Sequence, residues 1–215
     1  MAQMLTQSEV VAVLRKQAAD LTAHAEELRA LDAAIGDGDL GITVTIGFQA
    51  VCEALPELED ADLRTLLMRA GMAFNRKAAS TFGALYATMM MRAARVAGER
   101  QGAGIDASTF AAMVSAAVEG VQERGKAQRG DKTLLDALIP AAEAATAAAE
   151  AGASLSDVAG RTAEAAEEGA RATVAMKSRT GRASWFSDRT EGVQDPGATA
   201  VSFMLRSFAD YVAAR

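Results

Sequence analysis

The stretch SEVVAVLRKQAADLTAHAEELRALD, Ser8 to Asp32, sets Leu14, Leu21, Leu28 and Leu31 along one helical stripe and contains neither glycine nor proline. It reads as the first helix, with Ser8 as its N-cap. Further on, AAEAATAAAE, Ala141 to Glu150, reads as a helix packed closely against its neighbours. Alanine, the strongest helix former, makes up roughly a quarter of the chain. The prolines Pro56, Pro140 and Pro196 are sparse breakers, two of them close to where periodic segments should begin or end. No stretch alternates polar and apolar residues with β-branched enrichment, so the expected fold is all-α.

Glycine, proline and Asx signals divide the remainder into helices at about Ile42–Leu55, Asp60–Arg76, Ser80–Gly98, Asp106–Arg124, Lys132–Ala151, Ser154–Lys177 and Pro196–Val212. The sum is about eight antiparallel helices in a barrel or bundle, forming a single domain over residues 1–215. Residues 178–195 stand apart as a long loop rich in Gly, Ser, Arg and Asp, a content that leans towards function.

The chain has 215 residues, a hydrophobic fraction of 50% and 5% aromatics, which places it with globular proteins able to bury a core. Mean hydropathy is +0.07 and no apolar run approaches the roughly 20 residues of a membrane helix, so no membrane span is expected. Cys52 has no partner cysteine and no leader pattern opens the chain, which points to the cytoplasm. A net charge of -6 repels a nucleic-acid backbone, so nucleic acid is not an expected partner. His24 is the sole histidine and reads as a partly buried helix residue. Chemistry must therefore run on carboxylates, hydroxyls, backbone amides and arginines, with a hard cation as a natural companion. Met89, Met90 and Met91 read as gap-filling residues and Cys52 as a buried thiol.

Asp32 falls at the C-terminal end of the apolar stripe of the first helix. The loop Gly36-Asp37-Gly38-Asp39-Leu40-Gly41 permits a tight reversal that returns Asp37 and Asp39 towards Asp32. Three converging carboxylates repel one another unless a cation neutralises them, and a compact set of oxygen ligands suits magnesium. The same residues also read as ordinary turn and cap positions with solvated side chains. Two further places have the form of anion sites: the helix start at Ala79-Ser80-Thr81-Phe82-Gly83, and Gln194-Asp195-Pro196-Gly197, where Asp195 should cap the last helix and Pro196 occupy its first position. Arg182, in Gly181-Arg182-Ala183-Ser184, could bridge phosphate oxygens, while Trp185 reads chiefly as a pin for the loop.

Asp32 with Gly36 to Gly41, then Gly130-Asp131-Lys132-Thr133, Gly181 to Ser184 and Gln194 to Ala198, follow one another over nearly the whole chain in an order that resembles the nucleotide-binding L subunit of dihydroxyacetone kinase. The resemblance implies a barrel of eight antiparallel helices whose loops at one end hold ADP or ATP through two magnesium ions. By motif position, Asp32, Asp37 and Asp39 would be the magnesium ligands and, with Arg182, the catalytic set. Thr43, Ser80, Thr81 and Gly83, with Arg182, would lie around the phosphates, Gly130 and Leu134 near the base, and Asp195 near the sugar, with Gly197 also among the nucleotide-binding residues. It also implies a partner, a K subunit that binds a short-chain ketose through a histidine this chain lacks. In one of the family's two regimes a phosphotransferase-system protein rephosphorylates bound ADP; in the other, ATP exchanges. The sequence leaves open which regime applies, which ketose is used, and whether the chain forms a homodimer. Two positions depart from the pattern: Leu40 stands where the family often has histidine, and Ser80-Thr81-Phe82 is bulkier than the usual glycine-rich turn. A reading of another class, a non-catalytic helical interaction module whose Gly-Asp loops are only structural, predicts no magnesium-dependent nucleotide binding.

Overall fold

Short polar side chains fix where most of the helices begin. The computed structural model describes residues 4–100, 104–180, 187 and 189–215, and among them the chain forms α1 (Gln7–Ala23), α2 (Ala25–Ile35), α3 (Leu40–Ala54), α4 (Leu63–Lys77), α5 (Thr81–Glu99), α6 (Ala107–Gly125), α7 (Leu135–Glu150), α8 (Leu155–Ala172) and α9 (Pro196–Ala213). Thr6, not the expected Ser8, caps α1, in a capping box closed by Glu9. Asp62, Ser80, Asp106, Ser154 and Asp195 each accept a backbone N–H from the first turn of the helix they precede. Pro196 takes the first position of α9 as anticipated, whereas Pro140 lies inside α7.

The architecture is the all-α bundle read from the sequence, with nine helices among the described residues instead of eight. The difference arises at His24, which leaves helical geometry (φ -94°, ψ 6°) and divides the expected Ser8–Asp32 helix into α1 and α2. His24 is exposed, not partly buried; its ring stacks on Phe203 at 4.1 Å and bonds Glu27 at 3.1 Å. Consecutive helices from α3 to α9 pack side by side, and the bundle closes on itself where α9 and α3 both meet α1. An isolated bridge, Leu5 to Ile105, is the one β-type pairing among the described residues. No helix there is long and apolar enough to cross a membrane.

Two other expectations change in detail. The helix foreseen from Lys132 starts at Leu135, because Lys132 has a left-handed backbone (φ 58°) that a helix cannot contain. The helix foreseen to Lys177 ends at Ala172 and runs into a 3-10 turn, Thr173–Ala175. Cys52 is half-buried, and Met91 points outward at 43% exposure, so neither is a core residue.

The core mixes alanine contacts with one aromatic knot. Phe48 of α3, Phe74 of α4 and Tyr86 of α5 are fully enclosed, with ring centroids 4.3 to 5.5 Å apart, and Phe82 joins at 6.2 Å from Phe74. Glycine makes this knot fit: a Cβ on Gly47 would stand 2.4 Å from the ring of Phe74. A stiff ring in a filled core has nowhere to go. Gly47→Ala should therefore destabilise the fold by about 1–3 kcal/mol, the usual range for overpacking, read as a lower urea midpoint with an unchanged slope.

Candidate functional site

The reversal between α2 and α3 is tight enough to bring three acids together. Gly36 N–H donates to the Asp32 carbonyl at 2.6 Å, and Gly38 adopts φ 76°, a conformation that glycine takes without strain. A Cβ at Gly36 would lie 2.4 Å from Asp32 Oδ1, so the loop closes directly over that carboxylate. One carboxylate oxygen from each of Asp32, Asp37 and Asp39 lies within 4.8 Å of the others. Asp39 occupies the N-cap position of α3 but makes no side-chain cap bond, which leaves its carboxylate to the cluster.

Asp32 is half-buried while Asp37 and Asp39 are exposed. Burial holds the Asp32 carboxyl above its ordinary range; the Leu40 N–H, donated at 3.0 Å, opposes this, and the charges of Asp37 and Asp39 add to it. The bulky Leu40 thus contributes a backbone amide to the cluster.

The cluster forms one wall of a cleft of about 490 Å³, a volume typical of small-molecule sites. Thr43 stands beside the acids, and Ser80 and Thr81 face the cleft from the start of α5. Leu134 lines it just before α7, and Asp195 and Gly197 line it at the start of α9. The structure therefore gathers Asp32, Asp37, Asp39, Thr43, Ser80, Thr81, Leu134, Asp195 and Gly197 around one space. Four helices, α3, α5, α7 and α9, begin there, and helix N-termini carry partial positive charge.

Gly83 and Gly130 are not brought to the cleft wall. The amide of Gly83 already donates to Ser80 Oγ at 3.0 Å, and that of Gly130 to Asp136 Oδ1 at 2.5 Å. Arg182, together with Trp185, lies outside the described residues. A second concavity, about 500 Å³, is lined by Gln122, Lys126 and Arg129 among others and contains none of the predicted site residues.

Sequence reasoning missed the scaffold on the α7 side. Asp136 is 3% exposed and accepts from Gly130 N and, at 2.8 Å, from Thr133 N, so it ties down the 130–133 turn. Its signal was a lone acid within the apolar run Leu134 to Ala142. Lys132, which also lines the cleft, is 2% exposed. Nothing in local periodicity marks a buried lysine with a left-handed backbone.

The model of the DAK2 domain matches residues 34–210. The chain is 34% identical over 205 residues to the PEP-dependent dihydroxyacetone kinase, ADP-binding subunit DhaL, of Escherichia coli (strain K12), covering 95% of this chain and 97% of that one. It is also 34% identical over 198 residues to the L-erythrulose kinase of Pectobacterium atrosepticum, where it covers 91% of this chain but spans only 33% of the relative's length. Among solved structures, the native dihydroxyacetone kinase of C. freundii superimposes with a TM-score of 0.74 over 98% of this chain and 35% of that one, at 23% identity, a likeness of fold.

Asp195 gives the site a pH dependence whose sign follows from burial. Its Oδ1 accepts from Ala198 N at 2.7 Å, but burial pushes the carboxyl up to about 7, with Asp136 adding to the effect and Lys132 opposing it. The residue still opens on the cleft, so solvent there moderates the push. A carboxyl with a raised native pKa stabilises the fold fully below its unfolded value of 3.8, and that contribution is lost as pH rises towards about 7. Asn retains the capping oxygen without the charge. The stability of Asp195→Asn relative to the parent should therefore increase from pH 4 to pH 7 and then level off, as followed by urea unfolding across that range.

Proposed function

This chain belongs to the DAK2 domain family, and we propose that it is the nucleotide-binding, phosphoryl-donating subunit of a ketose kinase of the dihydroxyacetone kinase type. The observation that carries the reading is the facing of the Asp32, Asp37 and Asp39 cluster towards the first residues of α5, α7 and α9 across one cleft. The identity to a relative named as an ADP-binding subunit, over almost the full length of both chains, supports it.

Three carboxylates within reach of one small ion, two of them exposed, fit a hard divalent cation. Asp32, Asp37 and Asp39 would hold magnesium, one ion or the two that the family resemblance implies. Magnesium bound there supplies neutralisation of phosphate charge and a fixed orientation for the terminal phosphoryl group.

The chain's own groups divide the rest of the work. Ser80 and Thr81, with the free amides at the start of α5, receive phosphate oxygens, and the Thr43 hydroxyl lies beside them. Leu134 offers an apolar surface to the base, and Asp195 with the Gly197 turn meets the sugar. Gly83 and Gly130, whose amides are already bonded, act by shaping the two turns. Arg182 steadies non-bridging oxygens.

The acceptor hydroxyl and the group that positions it would come from a ketose-binding partner subunit, as the family resemblance implies. Activity then depends on that complex, with the whole chain acting as one domain in the cytoplasm. The relative matched along its full length is named PEP-dependent, which favours the regime in which bound ADP is rephosphorylated in place by a phosphotransferase-system protein.

Calorimetric titration of the nucleotide-stripped protein with ADP and ATP, with magnesium and with chelator, tests the reading. Binding should require magnesium, and Asp37→Asn and Asp39→Asn should each weaken it by about a hundredfold or more, as expected for loss of a ligand charge. Helicity should be unchanged in both. Normal nucleotide affinity in both variants would refute the assignment.

A further inference from the structure

Lys132 lies in the cleft wall where a lysine would ordinarily be taken for a phosphate ligand, yet it is 2% exposed. An ammonium group has three N–H donors and no acceptor. All three are committed to backbone carbonyls: Met176 at 3.0 Å, Thr190 at 2.5 Å and Val193 at 2.6 Å. No donor remains for a phosphate oxygen.

The acceptors lie on both arms of the connection between α8 and α9. Met176 is on the outgoing arm, Thr190 and Val193 on the returning one. The arms also bind each other, through Ser178 N to Thr190 Oγ1 at 2.9 Å and Gly192 N to the Val174 carbonyl at 2.8 Å. Next to Lys132 in sequence, the Asp131 carbonyl accepts Arg179 N–H at 3.1 Å. The returning arm ends at Asp195, whose N–H donates to Thr173 Oγ1 at 2.8 Å. Burial disfavours the ammonium charge, while Asp195 and Glu191 favour it. Both ends of a long connection thus meet on one side chain, whose left-handed backbone (φ 58°) aims it there from the turn before α7.

We propose that Lys132 is a positioning residue: its ammonium clasps both arms of the 173–195 connection to the start of α7, fixes Asp195 across the cleft from the carboxylate cluster, and makes no contact with phosphate. The nucleotide part of this inference rests on the function proposed above; the clasp itself does not.

The test uses the full chain and Lys132→Met, which keeps the length of the side chain but leaves three buried carbonyls without donors. Tryptic cleavage after Arg179 and Arg189 should quicken about tenfold in the variant, as local opening of the connection becomes easier. Affinity for magnesium-ADP and for adenosine should fall by a common factor of about ten, since a misplaced Asp195 affects both equally. A loss at least tenfold greater for magnesium-ADP than for adenosine would make Lys132 a phosphate ligand and overturn the proposal. Unchanged cleavage together with unchanged affinity would overturn it as well. If the variant does not fold, nitrogen-15 spectra of the wild type decide: the Lys132 ammonium should show protected protons that those of the exposed Lys77 and Lys126 do not, and exchange of Lys132 as fast as theirs would overturn the clasp. A wild-type protein that binds no nucleotide would refute the functional reading, while cleavage and ammonium protection would still decide the clasp.

Discussion

Like charges do not converge without something to hold them, and the placement of Asp32, Asp37 and Asp39 within 4.8 Å is the constraint around which this end of the molecule is organised. Each pair at that separation repels by roughly 1 kcal/mol in water and about four times as much at a partly shielded site. Packing enforces the approach: Asp32 is fixed by the last turn of α2, Asp39 by the N-cap position of α3, and the Gly36 to Gly38 reversal joins them so closely that a Cβ at Gly36 would reach to 2.4 Å from Asp32 Oδ1. For Asp32, part of the compensation is the Leu40 amide, a partial charge at the start of a helix. The other helix starts facing the cleft extend the same positive potential across it. An acidic wall that shares a cleft with amide-rich helix ends is complementary to a cation paired with a polyanion.

The far wall is organised differently. There, Asp136 and Lys132 are almost wholly enclosed and bond to backbone groups: Asp136 to the amides of Gly130 and Thr133, Lys132 to three carbonyls. A side-chain charge used in this way does the work of a short stretch of secondary structure, holding irregular backbone where no helix or sheet ladder can. The two walls therefore differ in purpose. The acidic one gathers three carboxylates, two of them exposed, and the α7 side uses its side chains to fix the chain.

How much of this was legible in the sequence depends on the range of the interaction that fixes each part. Helix caps are local, so Ser80, Asp106, Ser154 and Asp195 announced their helices within a residue, while the cap of α4 fell at Asp62, two residues beyond the expected start at Asp60. The Asp32 to Asp39 cluster was legible for the same reason, since eight residues with two glycines define the reversal. The break at His24 was not, because nothing in the apolar stripe is interrupted there and the ring settles against Phe203 of α9, far along the chain. Lys132 was hidden more deeply: a lysine in a polar turn looks solvated until the carbonyls of residues 176, 190 and 193 surround it. The convergence of helix starts on one cleft followed only from the alternation of directions around the closed bundle, and the resemblance in motif order anticipated it.

Burial at the two acidic positions sets a balance between stability and binding. Ionisation of both Asp32 and Asp195 is resisted, foremost by burial in each case. Each residue therefore subtracts from native stability at neutral pH, which a domain of ordinary, marginal stability tolerates only in small amounts. The sequence keeps them despite alanine and leucine being its prevailing choices at enclosed positions. For Asp32 the strain is electrostatic and is relieved by any bound positive charge; for Asp195 it is offset by the Ala198 amide and the nearby Lys132 charge. A fold that retains such groups holds part of its binding energy in advance, because a ligand that removes the repulsion stabilises the whole bundle by mass action. Local sequence rules are broken here at the positions that face the cleft, and kept almost everywhere along the helices that carry them.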